Sequence, residues 1–262
     1  MDAIVTAGGR IDGAFARETG TIIKALLPIA GSTLLARALA ALRGSARIRR
    51  ICVVGPPEVE PTALAAGADR FVPERATGID NLLLGIEALA AEGPVVCSAS
   101  DLPFLSADAV EELIERTPAD AGLTYVAVTR AEWEQAFPDS PHGFYVPLAD
   151  GEFTGGCVHV QNAGALRRIE PLVQRAFAAR KSQVAMARLL GAGPLLRLVA
   201  GFLVSRRLAP SSEGLCRRVE ALAGCRCAVV RGCRPTLAAD VDSLADWRYA
   251  CRVAARVPAP GP

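Results

Sequence analysis

A chain of 262 residues that is 51% hydrophobic and 21% charged has enough apolar side chain to fill a sizeable core, which excludes an intrinsically disordered protein. Its formal net charge of +2, with charges of both signs interspersed, speaks against a nucleic-acid partner, whose binding face is strongly basic. No basic, apolar leader opens the chain, and the most apolar later stretch, 189–208, contains Pro194 and Arg197. Neither a secretory signal nor a membrane span is therefore expected, and the expected location is cytoplasmic.

Ala3–Thr6 reads as a short buried strand that stops at Ala7-Gly8-Gly9 and gives way to a polar loop reaching Lys24. TLLARALAALR (33–43) has the apolar period of a helix, with Ser32 placed to cap it. RRICVVGP (49–56) is an apolar, β-branched run closed by Gly-Pro, hence a strand, and 69–72 is a shorter one. A helix is expected over 79–93, closed by Gly93. Residues 94–106 form a further buried strand that breaks at Ser100-Asp101, and Ser106 caps a helix over 108–116 with Asp108, Glu111 and Glu112 in its first turns. A strand over 121–129, helical character from about 164 to 218, a late strand over 226–231, a final helix from 242 and a terminal loop complete the chain. Strands alternating with helices at this spacing predict an α/β fold: a Rossmann-like, mostly parallel (mixed) sheet with helices on both faces. The 262 residues are read as one domain carrying a helical insert at about 164–218.

Ligands of open α/β sheets bind beyond the carboxyl ends of the strands, and two strand ends here carry chemistry. At the first, Gly8 and Gly9 let backbone N–H groups approach phosphate oxygens without an intervening Cβ, and Lys24 adds a positive charge at the far end of the same loop. At the second, Asp101 offers a carboxylate to a divalent cation. The glycines do not spell the dinucleotide fingerprint, and no GxxxxGK[ST] loop is present. Only two histidines exist: His142 reads as a solvated loop residue and His159 as a structural one, which leaves Ser-His or Cys-His catalysis without support. Of eight cysteines, Cys52 and Cys97 sit in apolar runs, and the cluster Cys216, Cys225, Cys227 and Cys233 lacks the paired CxxC spacing of zinc sites. Reduced thiols are expected.

Taken together, IVTAGGR, with Lys24 ahead of ALLPIAGSTLL, resembles the opening of nucleotidyltransferases with a GT-A-type Rossmann-like fold. VVCSASDLPFL resembles their second signature, FTGGCVHV the acceptor-side loop, and ADVDSLADW the late element that supplies a further metal contact. The resemblance is closest to the molybdenum-cofactor guanylyltransferase-like (MobA-like) branch of NTP transferases. It implies an Mg²⁺-dependent transfer of a nucleoside monophosphate from an NTP, GTP or CTP in first place, to a phosphorylated small-molecule acceptor with release of pyrophosphate. By the same resemblance Ala7, Gly8, Gly9, Asn81 and Ser100 bind the nucleotide, and Arg10 and Lys24 stabilise triphosphate charge. Asp101 with Asp240 or Asp242 holds the Mg²⁺, and Thr154, Gly155 and Gly156 face the acceptor. Departures from the pattern are Thr6 for leucine, Ile23 for the proline before the loop lysine, Cys157 for asparagine, and a loop containing Asp12 and Glu18, acids that either repel a triphosphate or face solvent. Two other readings stay open: a nucleotide-binding regulatory protein on the same fold without catalysis, and a GT-A glycosyltransferase, which would want Asp-x-Asp where this chain has Ser98-Ala99-Ser100-Asp101. The oligomeric state is open.

Overall fold

Three apolar runs, Ala3–Val5, Ile51–Val54 and Val95–Cys97, are each at most 5% exposed, as strands covered on both faces must be. In the computed structural model, which describes residues 1–179 and 191–255, they are the centre of β1 (Asp2–Thr6), β4 (Arg50–Gly55) and β6 (Pro94–Ala99). With β5 (Arg70–Pro73) and β10 (Val158–Asn162) they make a five-stranded sheet ordered β10-β6-β1-β4-β5, parallel except for β10. Alternation along β1 decides which helices cover it. Ala3 and Val5 pack with α2 (Leu34–Gly44) and α5 (Ala107–Arg116) on one face. Ile4 packs on the other with α4 (Gly78–Ala88) and α7 (Ala163–Ala179). A Cβ on Gly85 of α4 would stand 2.5 Å from Ile4 Cγ2, so only glycine lets this helix lie so close to β1.

A second sheet, ordered β11-β7-β9-β8, is built from β7 (Leu123–Thr129), β8 (Val146–Leu148), β9 (Gly151–Gly155) and β11 (Cys227–Arg231); β7 and β11 run parallel and the other pairs antiparallel. Side chains join it to the first sheet. Thr124 Oγ1 donates to Val160 O (2.8 Å) and accepts from Val160 N–H (3.2 Å), while the Gln161 amide bridges Thr124 N–H and C=O. The mixed α/β architecture expected from the sequence is present.

Several local expectations need correction. The stretch between Gly9 and Lys24 is not only loop: α1 (Gly13–Thr19) forms there, closed by Gly20 at φ 72°. Helix α2 is capped by Thr33, whose side chain accepts from Ala36 N–H, and not by Ser32; both belong to β3 (Ser32–Thr33), which forms a small hairpin with β2 (Pro28–Ile29). Helix α4 starts after Thr77, which caps it, and ends at Ala88 rather than Gly93; Ala90, at φ 48°, makes the turn. The remaining helices are α3 (Glu60–Ala65), α6 (Arg130–Ala136), α8 (Ala192–Leu203), α9 (Ser212–Ala223) and α10 (Leu244–Ala254). The expected terminal loop, and 180–190 within the expected helical stretch, lie outside the described residues.

Candidate functional site

The carboxyl edge of β1 is built by crowding. Ala7 extends the ladder by one bond, its N–H donating to Val54 O (2.8 Å), and is fully buried beneath the cleft rather than lining it. A Cβ on Gly8 would fall 2.0 Å from Glu74 Oε2, and one on Gly9 3.0 Å from Lys24 Cδ, so the glycine pair is what admits both charged side chains. The chain then doubles back: Ile11 N–H donates to Ile22 O (2.9 Å) and Lys24 N–H to Gly9 O (3.0 Å), which returns Lys24 to the strand end. Ile23 is 5% exposed and packs in the main core. Glu18 is bound by Arg248 of α10, which lowers its pKa, and Asp12 is exposed. Arg10 turns over the rim, donating to Gly8 O (2.7 Å) and Glu74 Oε1 (2.6 Å).

Asp101 follows β6 directly and is 8% exposed. Its carbonyl accepts from Val241 N–H (3.2 Å), which pins the segment 240–242 against it. Val241 is fully buried, and Asp240 and Asp242 on either side of it both reach Asp101: one oxygen from each of the three carboxylates lies within 4.8 Å of the others. Lys24 Nζ donates to Asp101 Oδ2 (2.8 Å) and Asp242 Oδ1 (2.5 Å), and these carboxylates raise its pKa against the opposing effect of burial. Among the described residues Asp240 has no such salt bridge. Burial first, then the charges of Asp101 and Asp242, push its carboxyl up to about 6. Cys157 stands behind it, its pKa raised by burial first and then by the charges of Asp240, Asp101 and Asp242.

A cleft of about 330 Å³ opens between these two strand ends, lined by Gly8, Gly9, Lys24, Glu74, Arg75, Thr77, Asn81, Ser100 and Asp101. The first turn of α4 faces it, and helix N-termini favour anions. Asn81 is 7% exposed and its Oδ1 accepts Arg75 N–H (2.6 Å); its Nδ2 is turned towards Gly8. The structure thus brings together Gly8, Gly9, Lys24, Asn81, Ser100 and Asp101, with Asp240 and Asp242 beside them and Arg10 at the rim. Thr154, Gly155 and Gly156 do not line this cleft. Thr154 is 6% exposed and pairs with Val128, while a Cβ on Gly155 or Gly156 would collide with Tyr125 (2.2 Å) or Val126 (2.6 Å), so these glycines serve the close packing of β9 and the residue after it against β7.

Glu74 and Arg75 were missed as site residues. Their signal was legible: a charged pair immediately after the strand Arg70–Pro73, at the same carboxyl edge as the glycines. His159 is structural, stacked on Tyr125 with Nδ1 accepting Val126 N–H, and burial lowers its pKa to about 4. His142 is half-buried against Trp133, bonded to Phe144 O.

Among the described residues Asp101, Asp240 and Asp242 are the one group of three or more His, Cys, Asp or Glu side chains able to share a metal ion. The donors suit Mg²⁺, because all three are hard carboxylate oxygens close enough to converge on one ion. A larger cavity of about 530 Å³, lined by apolar residues of β7, β11, α7 and α9, holds none of these groups.

The family described as "MobA-like NTP transferase domain" matches residues 3–211. A 2-C-methyl-D-erythritol 4-phosphate cytidylyltransferase from Saccharopolyspora erythraea is 27% identical over 194 residues, 64% of this chain and 85% of that one. A hypothetical transferase from Thermus thermophilus superposes with a TM-score of 0.79 at 30% identity, covering 94% of this chain and 98% of its own. The 2-C-methyl-D-erythritol 4-phosphate cytidylyltransferase of Thermus thermophilus gives a TM-score of 0.54 at 19% identity, over 98% of this chain and all of that one, and shares the fold.

Proposed function

The chain belongs to the MobA-like NTP transferase family, and from that premise we propose that it transfers a nucleoside monophosphate from an NTP to a phosphorylated small-molecule acceptor, with Mg²⁺ held by Asp101, Asp240 and Asp242. The observation that carries this reading is the convergence of Lys24 and three carboxylates at the mouth of a cleft floored by Gly8 and Gly9. The triphosphate lies along the glycine backbone. An acceptor phosphate oxygen attacks the α-phosphorus, a new P–O bond forms, the α–β bridging bond breaks, and pyrophosphate leaves carrying the electron pair. Little covalent work falls to the protein. Lys24 neutralises charge as pyrophosphate separates, Arg10 is within reach of the outer phosphates once it leaves Glu74, and Asn81 and Glu74 meet the base or ribose. Mg²⁺, when bound, supplies Lewis-acid stabilisation of the phosphate oxygens. The cytidylyltransferase relatives favour CTP as the donor, with GTP next, and their substrate makes a sugar-like phosphate the first acceptor class to try. Thr154–Gly156 remain the proposed acceptor side through Cys157, which joins that strand end to Asp240. Incubation of the protein with Mg²⁺, each NTP and a panel of phosphorylated polyols and sugars, reading pyrophosphate, tests the proposal. Turnover with CTP or GTP that chelation abolishes supports it; failure of every NTP to bind rejects it.

A further inference from the structure

The even overall charge conceals one segment of a different kind. From Pro171 to Ser212 the sequence has no acidic residue and seven basic ones, Arg175, Arg180, Lys181, Arg188, Arg197, Arg206 and Arg207, so the rest of the chain is net negative. The same segment holds five of the eleven exposed large hydrophobic side chains among the described residues: Leu196 (66% exposed), Val199, Leu203 (80%), Val204 (75%) and Leu208. Helix α8 is turned outward by its own packing. Gly201 is buried against Ala209, where a Cβ would come within 2.6 Å of the Ala209 Cβ, and this seats the Gly201 side of the helix inward. Leu196, Val199 and Leu203, spaced i, i+3 and i+7, form the opposite face and stand in solvent. Arg197 beside them, and Arg206 and Arg207 in the following turn, are exposed.

We propose that α8 and the turn after it dock onto anionic lipid membranes. Leu196, Val199, Leu203 and Val204 would sit at the boundary between headgroups and acyl chains, and the arginines against lipid phosphates. An aliphatic stripe rimmed by exposed arginines fits that surface, because each cation adds attraction to anionic lipid while the aliphatic groups leave water. A second copy of this chain fits poorly, since two acid-free basic segments would face one another. The helix lies on the bilayer and does not span it: no helix among the described residues is long and apolar enough to cross a membrane. The proposal goes beyond nucleotidyl transfer and stands or falls separately from it.

Flotation of the full chain with phosphatidylcholine vesicles, with and without a third of phosphatidylglycerol, tests the surface. Binding is expected to the anionic vesicles only, and to weaken as salt rises. Two variants divide the contributions: Leu196→Ser/Val199→Ser/Leu203→Ser, at exposed positions, and Arg206→Gln/Arg207→Gln. Each is expected to lower the partition coefficient about tenfold or more while the melting temperature holds. Absence of binding to anionic vesicles, or equal binding by the wild type and the arginine variant, overturns the proposal. So does a dimer in light scattering that the triple serine variant dissociates while vesicles go unbound, which assigns the face to a second copy instead.

Discussion

At the scale of single residues the site is a balance of charge in which Asp240 is the uncomfortable member. Its carboxyl is raised from 3.8 to about 6 by burial and by two neighbouring carboxylates, so the fold loses stability as pH rises from 3.8 through 6 and that residue ionises. Asp240→Asn removes this loss: it is expected to gain about 1–2 kcal/mol in urea unfolding at pH 7, and to lose nucleotide turnover by about a hundredfold or more. His159 works in the opposite direction. Burial lowers it from 6.5 to about 4, so its contribution is present above pH 6.5 and falls away as pH drops towards 4, where the unfolded chain takes up a proton that the folded one refuses. Between pH 4 and 6 the two slopes oppose each other. Unfolding curves at pH 7 and pH 5 should therefore show a steeper acid loss in Asp240→Asn than in the wild type, and a gain on acidification in His159→Gln. Identical pH dependence in all three proteins would contradict this assignment.

Among the elements, close contact more than propensity sets the geometry. Gly85→Ala drives a methyl group into Ile4 and is expected to cost about 1–3 kcal/mol in unfolding free energy by pushing α4, and with it Asn81, away from β1. Weaker nucleotide binding should accompany the loss. Thr129→Ala removes the Oγ1 that accepts Glu132 N–H and donates to the Glu132 carboxylate, leaving only the Thr129 N–H half of the capping box on α6, and is expected to cost about 1 kcal/mol. That box was readable as Thr-x-x-Glu, yet α6 is only seven residues long and has too few turns to show a period. The buried strands β1, β4 and β6 were legible because strands covered on both faces are continuous apolar runs. The cap of α2 lies one residue beyond the expected one because Ser and Thr both cap well, so the dipeptide Ser32-Thr33 does not reveal where the helix begins. Within the site, Lys24 and Asp101 could be read from sequence as separate strand-end charges. Their 2.8 Å contact could not, since the two are 77 positions apart in sequence with five strands between them. Gly155 and Gly156 also pack against Tyr125 and Val126, a contact that no local sequence pattern announces.

For the molecule as a whole, two sheets meet along β10 and β7, and the segment 235–242 crosses their junction to deliver Asp240 and Asp242 to the end of β6. The crossing is held by backbone bonds alone at its key points: Cys157 N–H to Leu237 O (2.7 Å), Ala99 N–H to Cys157 O (3.0 Å) and Val241 N–H to Asp101 O (3.2 Å). The carboxylates are thereby fixed relative to the glycine loop before any ligand arrives, the preorganisation that phosphoryl transfer requires. The most direct test is calorimetric titration of the protein with CTP and GTP, with Mg²⁺ and with the metal chelated, for the wild type and Asp101→Asn. Binding of one of these nucleotides that needs Mg²⁺ and is lost in Asp101→Asn is the predicted result; binding indifferent both to the metal and to Asp101 would contradict it.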